Sequence, residues 1–313
     1  MRILHVVTTL DVGGAEVHLL AQVRGQAARG HAVRVAWIKG AGSLGEEFLS
    51  AGAEQVVRLG ASPLAVVRLW SHARWADVVH SHLLKADALA ALVAPLAGRR
   101  RHLVSGKHND EQVLRKPLVS FLHGLIGRVP ARTIVLSEHV ARFIERHGRV
   151  PRRRQELVYY GIDPRPFEQA AAAPATERQR LRSSLGLAPE EIVLTCVARF
   201  APQKAHDVLL RAFAAARERD GRLRLLLVGD DPFGDGRQRA QALAADLGLG
   251  RSAVFAGIRR DVPQLLAIVA VGGDPQRALV AIAAGELGAP LHLGDELRVA
   301  PQAVHAELDQ RGL

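Results

Sequence analysis

Residues 192–210 read IVLTCVARFAPQKAHDVLL. The first six are β-branched or apolar and are bounded by turn formers, the pattern of a buried strand. From residue 204 onward, Val208, Leu209, Ala212 and Phe213 recur on one side of a 3.6-residue period, which predicts a helix. The short loop between them carries Arg199, Pro202 and Lys204. A strand, a turn and a helix N-terminus with two cations make a place suited to an anion, because free N–H groups and the positive end of the helix dipole meet there. Two fixed cations suit a diphosphate better than a single carboxylate.

The rest of the chain extends this pattern in both directions. Strands are predicted over residues 2–8, 33–38, 77–80, 102–105, 133–136, 156–159, 223–228 and 253–256. Helical spacing fills residues 15–29, 64–75, 85–96, 118–127, 138–147 and 238–247. Repeated βα units predict an α/β fold with parallel sheets, whose strand-end loops share one rim and bind ligands there. Residues 164–176, PRPFEQAAAAPAT, hold three prolines and an alanine run and read as a linker. Two domains follow, residues 1–163 and 177–313, with the 192–210 stretch opening the second.

Composition narrows the classes. The chain of 313 residues is 48% hydrophobic, enough for two cores. Its one cysteine, Cys196, lies inside the predicted strand, so no internal disulfide can form and a reducing compartment is expected. No signal-peptide pattern opens the chain, and no apolar run reaches the roughly 18 residues that would suggest a membrane span. The net charge of +11 sits in the first half, with Arg99 to Arg101 and Arg152 to Arg154 as its densest clusters. Such a surface attracts anionic headgroups. Aromatics are only 4% and do not interleave with the basic runs, so nucleic acid is not an expected partner. The expected location is cytoplasmic, with peripheral contact at the inner face of an anionic membrane.

V-A-R-F-A-P-Q-K-A-H-D-V-L-L resembles the donor-binding segment of GT-B-fold glycosyltransferases of family four, the group 1 transferases. That resemblance implies two Rossmann-like domains and a nucleotide-diphosphate sugar as donor substrate, with no cofactor and no essential metal. Arg199 and Lys204 would hold the diphosphate and stabilise charge on it as it departs. Thr9 to Glu16, with Gly13 and Gly14, is similar to the family's N-terminal G-G-A-E loop lining the opposite side of the cleft, and is not a dinucleotide fingerprint. Gly106-Lys107-His108-Asn109-Asp110 resembles the loop whose histidine touches the transferred sugar or the acceptor hydroxyl, a role that falls to His108. Gly229, with Gly257 and Ile258, matches the segments that surround the nucleotide base. Tyr160 stands where the family's domain junction often has asparagine. His80 and His82 share a period-2 spacing, but no third ligand has a fitting spacing nearby, so no metal site is expected.

The resemblance fails after Ala267. The family's two glutamates, which support the sugar and ribose, would fall at Val280 and Gly272, so the second domain reads as incomplete, with an unassigned, frameshifted or truncated tail from about residue 268. The implied function is a retaining transferase acting on a glycan or lipid-linked acceptor. The alternatives are a nucleotide-binding remnant without turnover and an epimerase of the same build, for which Asp110, Glu111 and Glu138 are the available carboxylates.

Overall fold

A computed structural model describes residues 1–231 and 234–269. The first part of the chain runs β1 (Arg2–Val7), α1 (Gly14–Ala28), β2 (Ala32–Trp37), α2 (Gly45–Ser50), β3 (Ala53–Arg58), α3 (Leu64–Trp75), β4 (Val78–His82), α4 (Leu84–Leu96), β5 (Leu103–Lys107), α5 (Pro117–Ile126), β6 (Arg132–Val135), α6 (Glu138–Arg146) and β7 (Gln155–Leu157). The seven strands form one parallel sheet in the order β3-β2-β1-β4-β5-β6-β7. Leu4 and Val6 of β1 pack with α3 and α4, while Val7 packs with α1 and α2, so helices cover both faces. The chain order reverses between β1 and β4, the place where open α/β sheets form a crevice at their C-terminal edge.

The second part runs α7 (Arg165–Ala171), α8 (Ala175–Ser184), β8 (Ile192–Val197), α9 (His206–Arg219), β9 (Leu223–Val228), α10 (Gly236–Asp246), β10 (Ala253–Gly257) and α11 (Val262–Ala267). Its strands are parallel, in the order β10-β9-β8. One face packs Cys196, Leu225 and Leu227 against Phe213 of α9 and Ala240 and Ala244 of α10. The other packs Val193, Leu226 and Val228 against Leu181 of α8 and Leu265 of α11. The buried Arg182 fastens this face: its guanidinium donates to the carbonyls of Ile268 at 2.8 Å and of Ala188 and Glu191 at 2.6 Å. The fold is thus α/β with two parallel sheets.

Three expectations need correction. The 164–176 stretch is not an irregular linker: it contains α7, which packs on α11 and buries Ala170, and the start of α8. A proline is tolerated in a first helical turn, and the alanine run is the best of helix formers. The helix after β8 starts at His206 rather than 204. Pro202–Lys204 form a 3-10 turn, and Ala205 intervenes with left-handed backbone, φ 48° and ψ 45°. Lys204 therefore precedes the helix instead of opening it. Finally, α2 and β3 occupy a segment with no predicted element. The position of the glutamate pair, and the tail from residue 270, lie outside the described residues.

Candidate functional site

The candidate residues fall into two groups, one at the C-terminal edge of each sheet. In the second sheet, β8 delivers Arg199 into the loop that precedes the 3-10 turn, where it is exposed, and Lys204 ends that turn half-buried. Gly229 follows β9 directly. Its N–H donates to the carbonyl of Gly257 at 2.9 Å, at the end of β10, so the two glycines are joined. A Cβ on Gly229 would run into the carbonyl oxygen of Ala198, the residue before Arg199. The absence of a side chain here lets the loops after β8, β9 and β10 close up on each other. Ile258, next along, is 63% exposed. The turn is shaped further by His206, buried and stacked on Phe200 with ring centroids 4.5 Å apart.

In the first sheet, Gly13 precedes α1 in extended conformation, and the Glu16 carboxylate folds back over it. Glu16 is buried and accepts a bond from the Thr9 hydroxyl at 2.7 Å. A carboxylate already lies at this helix start, in keeping with the positive end of the dipole. The loop can therefore accept bonds from hydroxyl groups and is poorly suited to a phosphate, whereas Gly14 faces open space.

His108 stands two positions beyond the Gly106 of β5, in the centre of a network that the sequence shows only in fragments. Its Nε2 lies 2.8 Å from Nδ1 of His82, whose Nε2 lies 3.0 Å from Nδ1 of His5. His5 Nε2 lies 2.8 Å from the side-chain oxygen of Gln26, and His108 Nδ1 lies 2.5 Å from the hydroxyl of Tyr160. One assignment of protons satisfies every link. Since the Gln26 oxygen can only accept, His5 donates from Nε2, His82 donates to His5, His108 donates to His82, and Tyr160 donates to His108. All three rings are then neutral. Burial acts in the same direction: it holds His5 and His108 down at about 4 and places His82 well below the ordinary histidine range. His18 of α1 stacks on the Tyr160 ring at 3.7 Å, so α1, the loop after β5 and the chain beyond β7 converge on His108. Gly106 makes the convergence possible: a Cβ there would stand 3.0 Å from His80 Nε2, 3.2 Å from His82 Nδ1 and 3.3 Å from His108 Nε2.

The reason given for expecting no metal also needs correction. A third histidine is present, because β1 pairs with β4 in the register that sets His5 beside His80. Nitrogens of His5, His80 and His82 all lie within 4.8 Å of one another. This donor set contains imidazoles only. His5 and His82 already use both ring nitrogens in the network, and His80 Nε2 is buried without a partner among the described residues. A divalent ion would have to break those bonds and enter the interior with no carboxylate to balance it.

Beneath His108 lies a buried ion pair absent from the sequence-based expectations. Lys107, at the end of β5, pairs with Asp87 of α4, and both side chains are almost inaccessible. Asp87 also accepts from the Ser81 hydroxyl at 2.6 Å and the Ser105 hydroxyl at 2.9 Å. Lys107 donates to His123 Nε2 at 2.9 Å, and His123 Nδ1 donates to the Gly148 carbonyl at 2.6 Å. With one ring nitrogen donating and the other accepting, His123 is neutral, and burial holds it at about 4. The cluster ties β4, β5, α4 and α5 together directly below the His108 loop.

Each carboxylate named for an epimerase has a partner. Glu138 is paired with Arg152 at 2.7 Å, Glu111 accepts from the Leu84 N–H at 2.9 Å, and Asp110 accepts from Gln112 at 2.7 Å.

Residues 12–165 match the family model Glycosyltransferase Family 4, and residues 177–272 match Glycosyl transferases group 1. A D-inositol 3-phosphate glycosyltransferase of Rhodococcus jostii is 33% identical over 233 residues, covering 69% of this chain and 50% of its own length. Its counterpart in Nocardia farcinica is 36% identical over 192 residues, covering 58% of this chain and 37% of its own. The chain thus spans half or less of the length of these curated relatives. Among solved structures, Anabaena HepE in complex with UDP-glucose superposes with a TM-score of 0.73 at 22% identity, covering 86% of this chain and 72% of that one, which shows a shared fold. The chain belongs to the GT-B glycosyltransferases of the family 4, group 1 type.

Proposed function

We propose that the chain binds a nucleotide-diphosphate sugar at the rim of its second sheet, with Arg199 and Lys204 on the diphosphate and the backbone at Gly229, Gly257 and Ile258 around the base. The observation that carries this is the closure of the loops after β8, β9 and β10 through Gly229, which leaves two cations and a stretch of backbone on one rim. Solved neighbours were captured with UDP and with UDP-glucose, which supports a nucleotide of that kind here. In the full reading, the sugar passes with retention of configuration to a glycan or lipid-linked acceptor held near His108. One curated relative is a phosphatidylinositol monomannoside mannosyltransferase, in keeping with a lipid-linked acceptor. His108 meets that acceptor only if the Tyr160 hydroxyl gives up Nδ1, so Tyr160 would gate the acceptor side.

A second reading, nucleotide binding without turnover, is favoured by Val280 and Gly272 standing where the family's glutamates belong. Calorimetric titration with UDP and GDP, repeated on the Arg199→Ala, Lys204→Ala double variant, tests the donor site. Binding that vanishes in the variant supports it, and a folded protein that binds neither nucleotide refutes it. Sugar transfer lost on Arg199→Ala would then exclude the second reading.

A further inference from the structure

A polar cleft of about 510 Å³ opens at the N-terminal edge of the three-stranded sheet, the end opposite Arg199 and Lys204. That volume lies within the range of small-molecule sites. Glu191 stands immediately before β8, Arg224 is the second residue of β9, and Arg251 lies in a 3-10 turn, Gly250–Ser252, that leads into β10. Arg217 reaches the same place from the last turn of α9. Strands β8 and β9 have six residues each, so the cleft and the Arg199 loop are about 20 Å apart at roughly 3.3 Å per residue. Gly248 and Gly250 border the cleft with left-handed backbone and no side chain to fill it.

Three arginines line this cleft against one carboxylate, Glu191. That carboxylate is fully engaged: one oxygen pairs with Arg224, and the other accepts the Ala188 N–H at 2.8 Å. Arg217 and Arg251 have no ion pair among the described residues, and Arg217 Nε is buried with no hydrogen-bond partner among them. The nearby Arg222 differs, since its guanidinium is held by Asp220 at 2.8 Å and does not line the cleft. The negative end of the α9 dipole favours a cation at Arg217, but it supplies no acceptor for Nε. A buried donor without an acceptor is costly, and more so on a charged group. An anion in the cleft would accept from Arg217 and balance Arg251.

We propose that this cleft binds a phosphate group, free or carried by a small metabolite, on Arg217 and Arg251, with Arg224 held beside them by Glu191. Guanidinium groups present paired N–H donors that match phosphate oxygens, and these charge-assisted bonds are stronger than neutral ones. Two uncompensated arginines suit the nearly double charge of a phosphate monoester better than the single charge of a carboxylate. The site lies on the other edge of the sheet from the proposed donor site, and it does not depend on that reading.

The test is calorimetric titration of the full chain carrying Arg199→Ala and Lys204→Ala, which removes the cations of the opposite rim, with inorganic phosphate, pyrophosphate and glycerol 3-phosphate at low salt. Arg217→Gln and Arg251→Gln are added to it singly, and Arg222→Gln controls for loss of charge at the same edge. Circular dichroism with thermal melting confirms folding, and Arg251 is exposed, so its replacement leaves the core untouched. The expected result is one site per chain, weakened about tenfold or more by either cleft substitution and unchanged by Arg222→Gln, as each lost charge-assisted bond weakens binding by about that factor. Tighter binding of glycerol 3-phosphate than of inorganic phosphate would support a phosphorylated metabolite as the ligand, and the reverse order would support free phosphate. Failure of all three anions to bind the folded chain would overturn the proposal. So would binding that survives both cleft substitutions, or a loss in Arg222→Gln equal to theirs.

Discussion

Acidifying the protein from pH 7.5 to 5.5 should cost it several kcal/mol of stability through its buried histidines. His5, His108 and His123 are each held at about 4 in the folded chain by burial, against an unfolded value of 6.5. The folded state keeps them neutral while the unfolded state takes up protons as pH falls through 6.5, so stability rises with pH across the window between those values. Below 6.5 each histidine loses about 1.4 kcal/mol per pH unit, so at pH 5.5 the three together cost about 4 kcal/mol relative to pH 7.5. His80 and His82 shift in the same direction and add to it. Asp77, Asp163 and Asp220, whose arginine partners hold them at about 2, titrate far below this range. Urea denaturation at pH 7.5, 6.5 and 5.5 measures the effect directly. In thermal melts it should appear as a fall of roughly 8–16 °C for a unit of this size. A His5→Gln variant should lose about 1.4 kcal/mol less than the native chain on the same acidification. Equal stability at pH 7.5 and 5.5 would refute the reasoning, because it would mean that these imidazoles are not buried as neutral acceptors.

Two further outcomes follow from packing. Asp87→Asn leaves Lys107 buried without its counter-charge and should cost about 3–5 kcal/mol in chemical denaturation, while the paired change Asp87→Leu, Lys107→Met should recover most of that loss; equal losses would show that the ion pair contributes no more than its volume. Gly229→Ala forces the loops after β8 and β9 apart and should cost about 1–3 kcal/mol, with a matching loss of nucleotide affinity in calorimetry; an unchanged variant would mean that the loops do not need the close approach.

The sheets were legible because their strands are continuous apolar runs, such as residues 192–197 and 223–228, separated by helical periods. Strand β3 was not: AEQVVR lies at the sheet edge, and half of its residues, Glu54, Gln55 and Arg58, are exposed, so it lacks an apolar signature. Helix α2 has only six residues, too short for periodicity to show. Within the candidate site, Arg199, Lys204 and His108 could be singled out from local motifs, but the groups that position His108 could not. His5 is far from His82 in the chain, and only the pairing of β1 with β4 brings them together. Asp87 and Lys107 look like ordinary surface charges on a helix and a loop. Their burial follows from β5 extending through Lys107, which turns that side chain inward. The left-handed Ala205 was illegible for another reason: the position carries no glycine, so nothing in the sequence marks it.

The chain's sole thiol offers a clock. Cys196 is sealed on β8 beneath α9 and α10, 1% exposed, while the entire first sheet carries no cysteine. A thiol reagent added to the native protein can therefore react only when the three-stranded unit opens, whatever the larger sheet is doing. The rate of modification at increasing urea would read the opening of that unit by itself, and slowing by added UDP or GDP would report the proposed nucleotide binding without any labelled ligand.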